Sequence, residues 1–329
     1  MKKAVLLVVF CLMMGWILTS NCLAEDAAAF YKGNTITVLI PTSPGGGFDL
    51  VSRAIAPYLE KYTGAKTLLQ NGKTILSQNQ LYRSKPDGLS VILAGHGAKE
   101  ITSQLFQQKG ANFNWKEFTL LGRLPFSSSL FVVDKKLGWT KPADLQGKEI
   151  FHGCSSPFFG PLFAEALGWD GMKVVPGMGG GERAMGLRRG ELQSTIAGTG
   201  QVAKNPDVML PIVGTNKDPK FPNVPAVKEV VLKGKEKWAE WTSTWDQVVY
   251  WSYASPGVPP DRAAFLEKAL EKTYNDPAFK ADMKKLKFEL SDHFVGANEL
   301  TKITRTIADL TDDEIKEMKF VIREKYQKK

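Results

Sequence analysis

Three times in this chain a short apolar run ends in a glycine- or serine-rich loop, and a helix-patterned segment opens directly behind it. Thr35 to Pro41 is followed by Pro44-Gly45-Gly46-Gly47-Phe48-Asp49. An apolar stripe of Leu50, Val51, Ala54, Ile55, Tyr58, Leu59 and Tyr62 comes next. Lys148 to Phe151 leads into His152-Gly153-Cys154-Ser155-Ser156-Pro157 and a helix from about Gly160 to Leu167. Lys173 to Val175 leads into Pro176-Gly177-Met178-Gly179-Gly180-Gly181 and a helix from Glu182 to Arg189. Alternation of this kind requires mainly parallel sheets, because each helix must carry the chain back across a sheet face before the next strand starts. Lys66 to Gln70, Leu89 to Ala94, Gln193 to Ala197 and Val208 to Val213 read as further strands. Gln78 to Arg83 reads as a helix that stops before the turn Pro86-Asp87-Gly88. The class is α/β.

Of the 329 residues, the first 24 are set apart. Met1-Lys2-Lys3 precedes an apolar run from Ala4 to Leu18, then Cys22-Leu23-Ala24 before Glu25-Asp26. A basic start, a short apolar centre and a small residue before an acidic pair make a secretory signal peptide, with cleavage expected after Ala24. The run is short for a span, which needs about 20 residues. Thr19 and Asn21 fit a lipid-modified Cys22 poorly. No later stretch is long and apolar enough for a membrane span. The remaining length suits two domains. Leu120 to Val133, around Pro125 to Ser129, reads as the first crossing between them, and Thr242 to Ser255 as the return. The expected division is residues 30–126 plus 246–329 for one domain and 127–245 for the other. Helices are expected from Pro260, from Asp276-Pro277 with Asp as cap, and from Glu299 to about Lys325.

Cys11 and Cys22 leave with the leader, so Cys154 has no partner for a disulfide. The formal charge of +9 falls to +7 without Lys2 and Lys3. That excess mildly favours anionic ligands. The basic residues are scattered and interleave with no aromatic module, which argues against nucleic acid.

In open α/β sheets, ligands sit beyond the carboxyl ends of the strands, which is where these loops lie. At Gly45, Gly46, Gly47, Phe48 and Asp49 a helix start presents unpaired N–H groups and partial positive charge. The glycines let a carboxylate or phosphate approach the backbone closely. The motif is neither Gly-x-Gly-x-x-Gly nor a P-loop, so no nucleotide is implied. Asp49 lies four residues before Arg53, so it suits an intrahelical ion pair as well as a ligand donor. Ser155 and Ser156 offer hydroxyls at the second helix start, where serine also serves as a cap. Gly180 and Gly181 belong to the third loop, and His96 closes the strand before Gly97. Phe158, Phe159, Trp245 and Trp251 serve either as pocket walls or as core.

A catalytic reading has little material. His96, His152 and His293 show no metal-ligand spacing, and one thiol cannot complete a zinc site. Gly153-Cys154-Ser155-Ser156-Pro157 is not a Gly-x-Ser-x-Gly elbow. A Cys154–His152 or Ser155–His152 nucleophile is the one hydrolase arrangement available, and no orienting carboxylate accompanies it. No catalytic residue, metal or cofactor is expected.

Several segments together resemble the tripartite tricarboxylate transporter substrate-binding proteins, the Bug family. They are Phe30 to Pro41, Pro44-Gly-Gly-Gly-Phe-Asp49 with Arg53, Pro86-Asp87-Gly88, Phe113-Asn114-Trp115, and Gly179-Gly180-Gly181-Glu182 with Arg189-Gly190-Glu191. Phe221-Pro-Asn-Val-Pro225 and Ser255-Pro256-Gly257-Val258-Pro259 complete the set. The resemblance implies a two-domain periplasmic-binding-protein fold of type II, a Venus flytrap with two crossing strands. It also implies a periplasmic, monomeric binding protein that delivers a small organic acid to membrane permease subunits. The loops matching Gly45 to Asp49 and Gly153 to Ser156 would hold the carboxylate. One departure stands out: Asn71-Gly72-Lys73-Thr74-Ile75-Leu76 replaces the family's Asn-x-Pro-Gly-Ala-Gly, so one pocket wall is expected to differ. The alternatives are a sensor that presents its ligand to a membrane receptor, and the Cys/Ser hydrolase.

Overall fold

The computed structural model describes residues 27–124, 128–288, 290 and 294–327. The expected leader, Pro125 and Phe126 at the first crossing, and His293 lie outside these residues.

Two five-stranded sheets form. The first contains β1 (Thr35–Ile40), β2 (Lys66–Asn71), β3 (Ser90–His96), β4 (Phe118–Arg123) and β10 (Val249–Pro256), in the order β2-β1-β3-β10-β4. The second contains β5 (Leu130–Asp134), β6 (Ile150–Gly153), β7 (Met172–Val175), β8 (Ser194–Ala197) and β9 (Met209–Gly214), in the order β7-β6-β8-β5-β9. Both follow one plan. Three strands pair in parallel, and a single antiparallel strand lies beside the third. That antiparallel strand is the one arriving from the other sheet: β5 follows β4, and β10 follows the residues of the second sheet. Central strands covered on both faces need continuous apolar runs. In β1 and β3, Ile36, Val38, Ile40, Val91, Ile92 and Ala94 are accordingly all buried.

The fold is α/β with two mixed sheets, as the loop–helix alternation requires. Boundaries moved where local chemistry was stronger than periodicity. The helix read from Gln78 begins at Thr74, inside the altered segment Asn71 to Leu76. The stretch Thr242 to Ser255 divides between the end of the helix Glu236–Asp246 and β10. The single helix expected from Glu299 to Lys325 is two, Ala297–Ala308 and Asp312–Phe320, followed by a π-helical turn over Val321–Lys325. Thr311 causes the break. Its hydroxyl accepts from the Glu314 amide while Glu314 reaches back to the Thr311 N–H, a capping box that starts a new helix. Two further short helices, Gly97–Leu105 and Thr199–Lys204, follow β3 and β8. Asp276 caps its helix as read, accepting from the Ala278 amide at 2.8 Å.

The chain then returns once more to the second sheet. The Val174 amide donates to the Tyr326 carbonyl at 2.8 Å. Buried Glu165 accepts from the Tyr326 hydroxyl at 2.7 Å, from Lys235 at 3.2 Å, and from Lys325. Among the described residues no helix is long and apolar enough to cross a membrane.

Candidate ligand-binding cleft

A cavity of about 430 Å³ opens between residues of the two sheets. One wall comes from the first sheet: Gly47 and Leu50 on the helix Gly47–Thr63, Arg123 at the end of β4, Val249 and Tyr250 on β10, and Leu286 to Phe288. The other wall comes from the second: Gly180 and Arg183, then Gly198 to Gln201 and Lys204 directly after β8. Ser129 and Asp246 sit where the chain crosses.

Among the described residues, four cations line the space, Arg123, Arg183, Lys204 and Lys287, against one carboxylate, Asp246. That carboxylate is engaged. It accepts from the Ser129 hydroxyl at 2.7 Å, the Ser129 amide at 3.2 Å and the Thr215 hydroxyl at 2.6 Å. Arg123 donates to the Val249 carbonyl at 3.1 Å. Arg183 donates to the Ile196 carbonyl at 2.6 Å and the Thr195 hydroxyl at 3.1 Å, which fixes its guanidinium at the end of β8. Burial lowers the pKa of both arginines, yet a guanidinium stays charged at any ordinary pH.

The first wall carries two of the three non-glycine residues with positive φ among those described: Tyr250 at 62° and Lys287 at 60°. Lys287 follows the helix Pro277–Lys285. Its amide donates to Lys284 O, and the Phe288 amide donates to Met283 O, both at 2.9 Å. This is a Schellman motif, whose left-handed position is normally glycine. Placing an L side chain there costs about 1–2 kcal/mol. Such strain concentrates at ligand clamps and switch regions.

The residues singled out from sequence are dispersed around this space. Gly47 and Gly180 line it. Phe48 packs behind it, its ring 4.8 Å from Tyr250 and 5.1 Å from His96. His96 lies deeper. Burial brings its pKa down to about 4, so the ring is neutral at neutral pH, and Nδ1 has no hydrogen-bond partner among the described residues. Asp49 is buried and braces the loop. It accepts from the Gly45 amide and the Asn71 side chain at 2.8 Å, and from Arg53 at 2.9 Å. Burial opposes its ionisation, but these partners prevail and hold its pKa below the usual range. The residue that needs glycine in this loop is Gly45, at φ 80°. Gly46 and Gly47 do not share that conformation.

Ser155 is exposed and Ser156 half-buried, and neither caps the next helix, Phe159–Leu167. The Ser156 carbonyl accepts from the Phe158 amide instead. Phe159 and Trp245 both pack on Phe158, at 5.2 and 5.3 Å, and are buried. Gly181 is exposed and lies outside the cavity lining. The hydrolase arrangement has no assembled pair. His152 Nδ1 faces the Ser194 hydroxyl at 3.0 Å, and burial pushes the Cys154 thiol up to about 12.

Arg123, Arg183, Lys204, Tyr250 and Lys287 were not found from sequence. One signal was available: Gly198-Thr199-Gly200 follows strand β8 as the other glycine loops follow theirs.

No family model matches the chain, and neither does the sequence of any curated protein. Solved structures do match. A TctC solute-binding protein from Polaromonas superposes with a TM-score of 0.67 at 16% identity, covering 89% of this chain and 99% of that one. The periplasmic binding protein BugD gives 0.62 at 19% identity, over 88% and 98% of the two chains. MatC from Rhodopseudomonas palustris, solved with bound malate, gives 0.61 at 19%, over 88% and 99%. With two like-ordered sheets, crossing strands and a cleft between them, the chain has the two-domain fold of the TctC and Bug solute-binding proteins.

Proposed function

We propose that this chain is a divergent Bug-type solute-binding protein that captures a small organic acid in the cleft. It would hand that acid to the membrane permease subunits of a tripartite tricarboxylate-type transporter. The observation that carries the reading is the charge of the cavity: Arg123, Arg183, Lys204 and Lys287 against Asp246, whose oxygens are occupied by Ser129 and Thr215. An anion entering this space gains charge-assisted hydrogen bonds from half-buried Arg123 and Arg183, with exposed Lys204 and Lys287 adding positive charge. A neutral ligand would have to desolvate the same cations without return. The malate bound to MatC belongs to the same chemical class.

On this reading the protein is not an enzyme. It works as a monomer in two domains, 30–126 with 246–329 and 127–245, in the periplasm after cleavage behind Ala24. Thermal-shift measurements on the mature protein with malate, other organic acids, sugars and amines test the ligand class. Organic acids are expected to raise the melting temperature. Stabilisation by neutral or cationic compounds alone would remove the carboxylate reading. Mass spectrometry of the exported protein should find an N-terminus at Glu25, and an intact Met1 or an acylated Cys22 would refute the export reading.

A further inference from the structure

Lys287 and Gly200 meet across the cleft, one from each wall. A Cβ on Gly200 would lie 2.2 Å from the Lys287 carbonyl oxygen and 3.4 Å from its carbonyl carbon. Both are backbone atoms, so neither can swing aside as the end of a side chain would. The two main chains therefore touch at a point that tolerates only glycine on the Gly200 side. The opposing carbonyl is set by the left-handed turn at Lys287, φ 60°, which its own Schellman hydrogen bonds hold in place. Glycine would relax that turn, yet lysine occupies it, and Lys287 lines the cavity that the contact closes.

We propose that the Lys287 turn is the closure contact of the cleft, and that lysine stands in the glycine position because its ammonium reaches the anion site when its carbonyl seats on Gly200. The part played by the ammonium rests on the anion-binding reading above; the backbone contact does not. Lys287 thus couples the two events. Closing the walls brings a fourth cation to the ligand, and a ligand held by that cation keeps the walls closed.

Two variants separate the parts. In Lys287→Gly the carbonyl and the turn remain while the strain and the ammonium go. It should melt about 2–4 °C higher than wild type and bind malate about fivefold more weakly by calorimetric titration. In Gly200→Ala the added methyl meets the Lys287 carbonyl. Small-angle scattering without ligand should show a larger radius of gyration than wild type, and malate affinity should fall. Wild-type affinity in Lys287→Gly overturns the role of the ammonium. Wild-type scattering in Gly200→Ala overturns the closure contact. Should Gly200→Ala not fold, scattering of the wild type decides the closure: a radius of gyration that saturating malate leaves unchanged sinks the coupling of closure to binding. A wild-type protein that binds no organic acid removes the anion reading and the ammonium's role with it, and the scattering comparison then still decides the contact.

Discussion

The two walls of the cleft are built differently. On the first, the loop before the helix Gly47–Thr63 is tied down by one buried carboxylate: Asp49 gathers Gly45, Asn71 and Arg53, and Asn71 also donates to the Thr42 carbonyl at 3.1 Å. Behind that loop stands a 17-residue helix with Val51, Ile55 and Leu59 in the core. On the second wall, part of the cavity lining is the six-residue helix Thr199–Lys204, whose N-cap, Gly198, has no side chain to cap it. A helix this short holds its shape by packing rather than by its own hydrogen bonds, and only Thr199 and Val202 are buried. The first wall is thus a braced shelf. The second takes its shape from Arg183, from β8 and from contact with the opposite wall. Pre-organisation is concentrated on one side, and adaptability on the other.

Damage to the two walls should therefore register in different measurements. The largest expected effect is on the second wall. Arg183→Gln removes a guanidinium that is aimed by the Ile196 carbonyl and the Thr195 hydroxyl. Affinity for malate should drop at least about tenfold with little change in melting temperature. A variant that melts early yet binds normally would reverse the assignment of the two walls.

Next comes Asp49→Ala on the first wall. Loss of hydrogen bonds to a buried carboxylate should cost about 1.5–3 kcal/mol of stability, read by denaturant titration, with affinity changing less. The pH dependence has a defined sign. The pKa of Asp49 is depressed in the folded protein, so its contribution is complete above the unfolded value and is lost as pH falls through the folded one. The stability gap between wild type and Asp49→Ala should therefore be full at neutral pH and close in acid. A gap that persists unchanged in acid would mean that packing, not the charge, does the bracing.

The smallest effect is expected at Gly47. A Cβ there meets Phe288 and the Tyr250 hydroxyl at 3.5 Å, ordinary contact, and the backbone is not left-handed. Gly47→Val should fold normally and weaken malate binding by less than about tenfold, through its branched methyls alone. A loss as large as that of Arg183→Gln would place the dominant ligand contact on the braced wall instead.

What could be seen in the sequence follows from range. Strands β1 and β3 and the helix after Gly45 announce themselves within a few residues, through apolar runs and glycine punctuation, and they appear where they were read. The Asp49–Arg53 pair was visible as an i,i+4 spacing, and it forms. The cations of the cleft carry no such local mark. Arg123, Arg183, Lys204 and Lys287 are far apart in sequence and look like any solvated basic residue until sheet order brings strand ends together. The helix Thr199–Lys204 is too short and too glycine-rich to show a period. Lys287 defeats sequence reasoning for a different reason: the position calls for glycine by every local rule, and the exception makes sense only from the opposite wall. Trp245, read either as pocket wall or as core, packs on Phe158 and is buried.

The return of the chain to the second sheet bears on the order in which this protein can assemble. Glu165 and Tyr326 are 161 residues apart and hydrogen-bonded, and the Tyr326 carbonyl receives the Val174 amide. The middle of the chain therefore lacks part of its own interior until residues made far later arrive. During synthesis, Glu165 would be a carboxylate in an incomplete apolar setting, without the Lys325 and Tyr326 groups that satisfy it. Closing so long a loop is entropically slow. The second sheet should consequently stay loose until the whole polypeptide is available, and the two halves should gain their native packing together rather than one after the other.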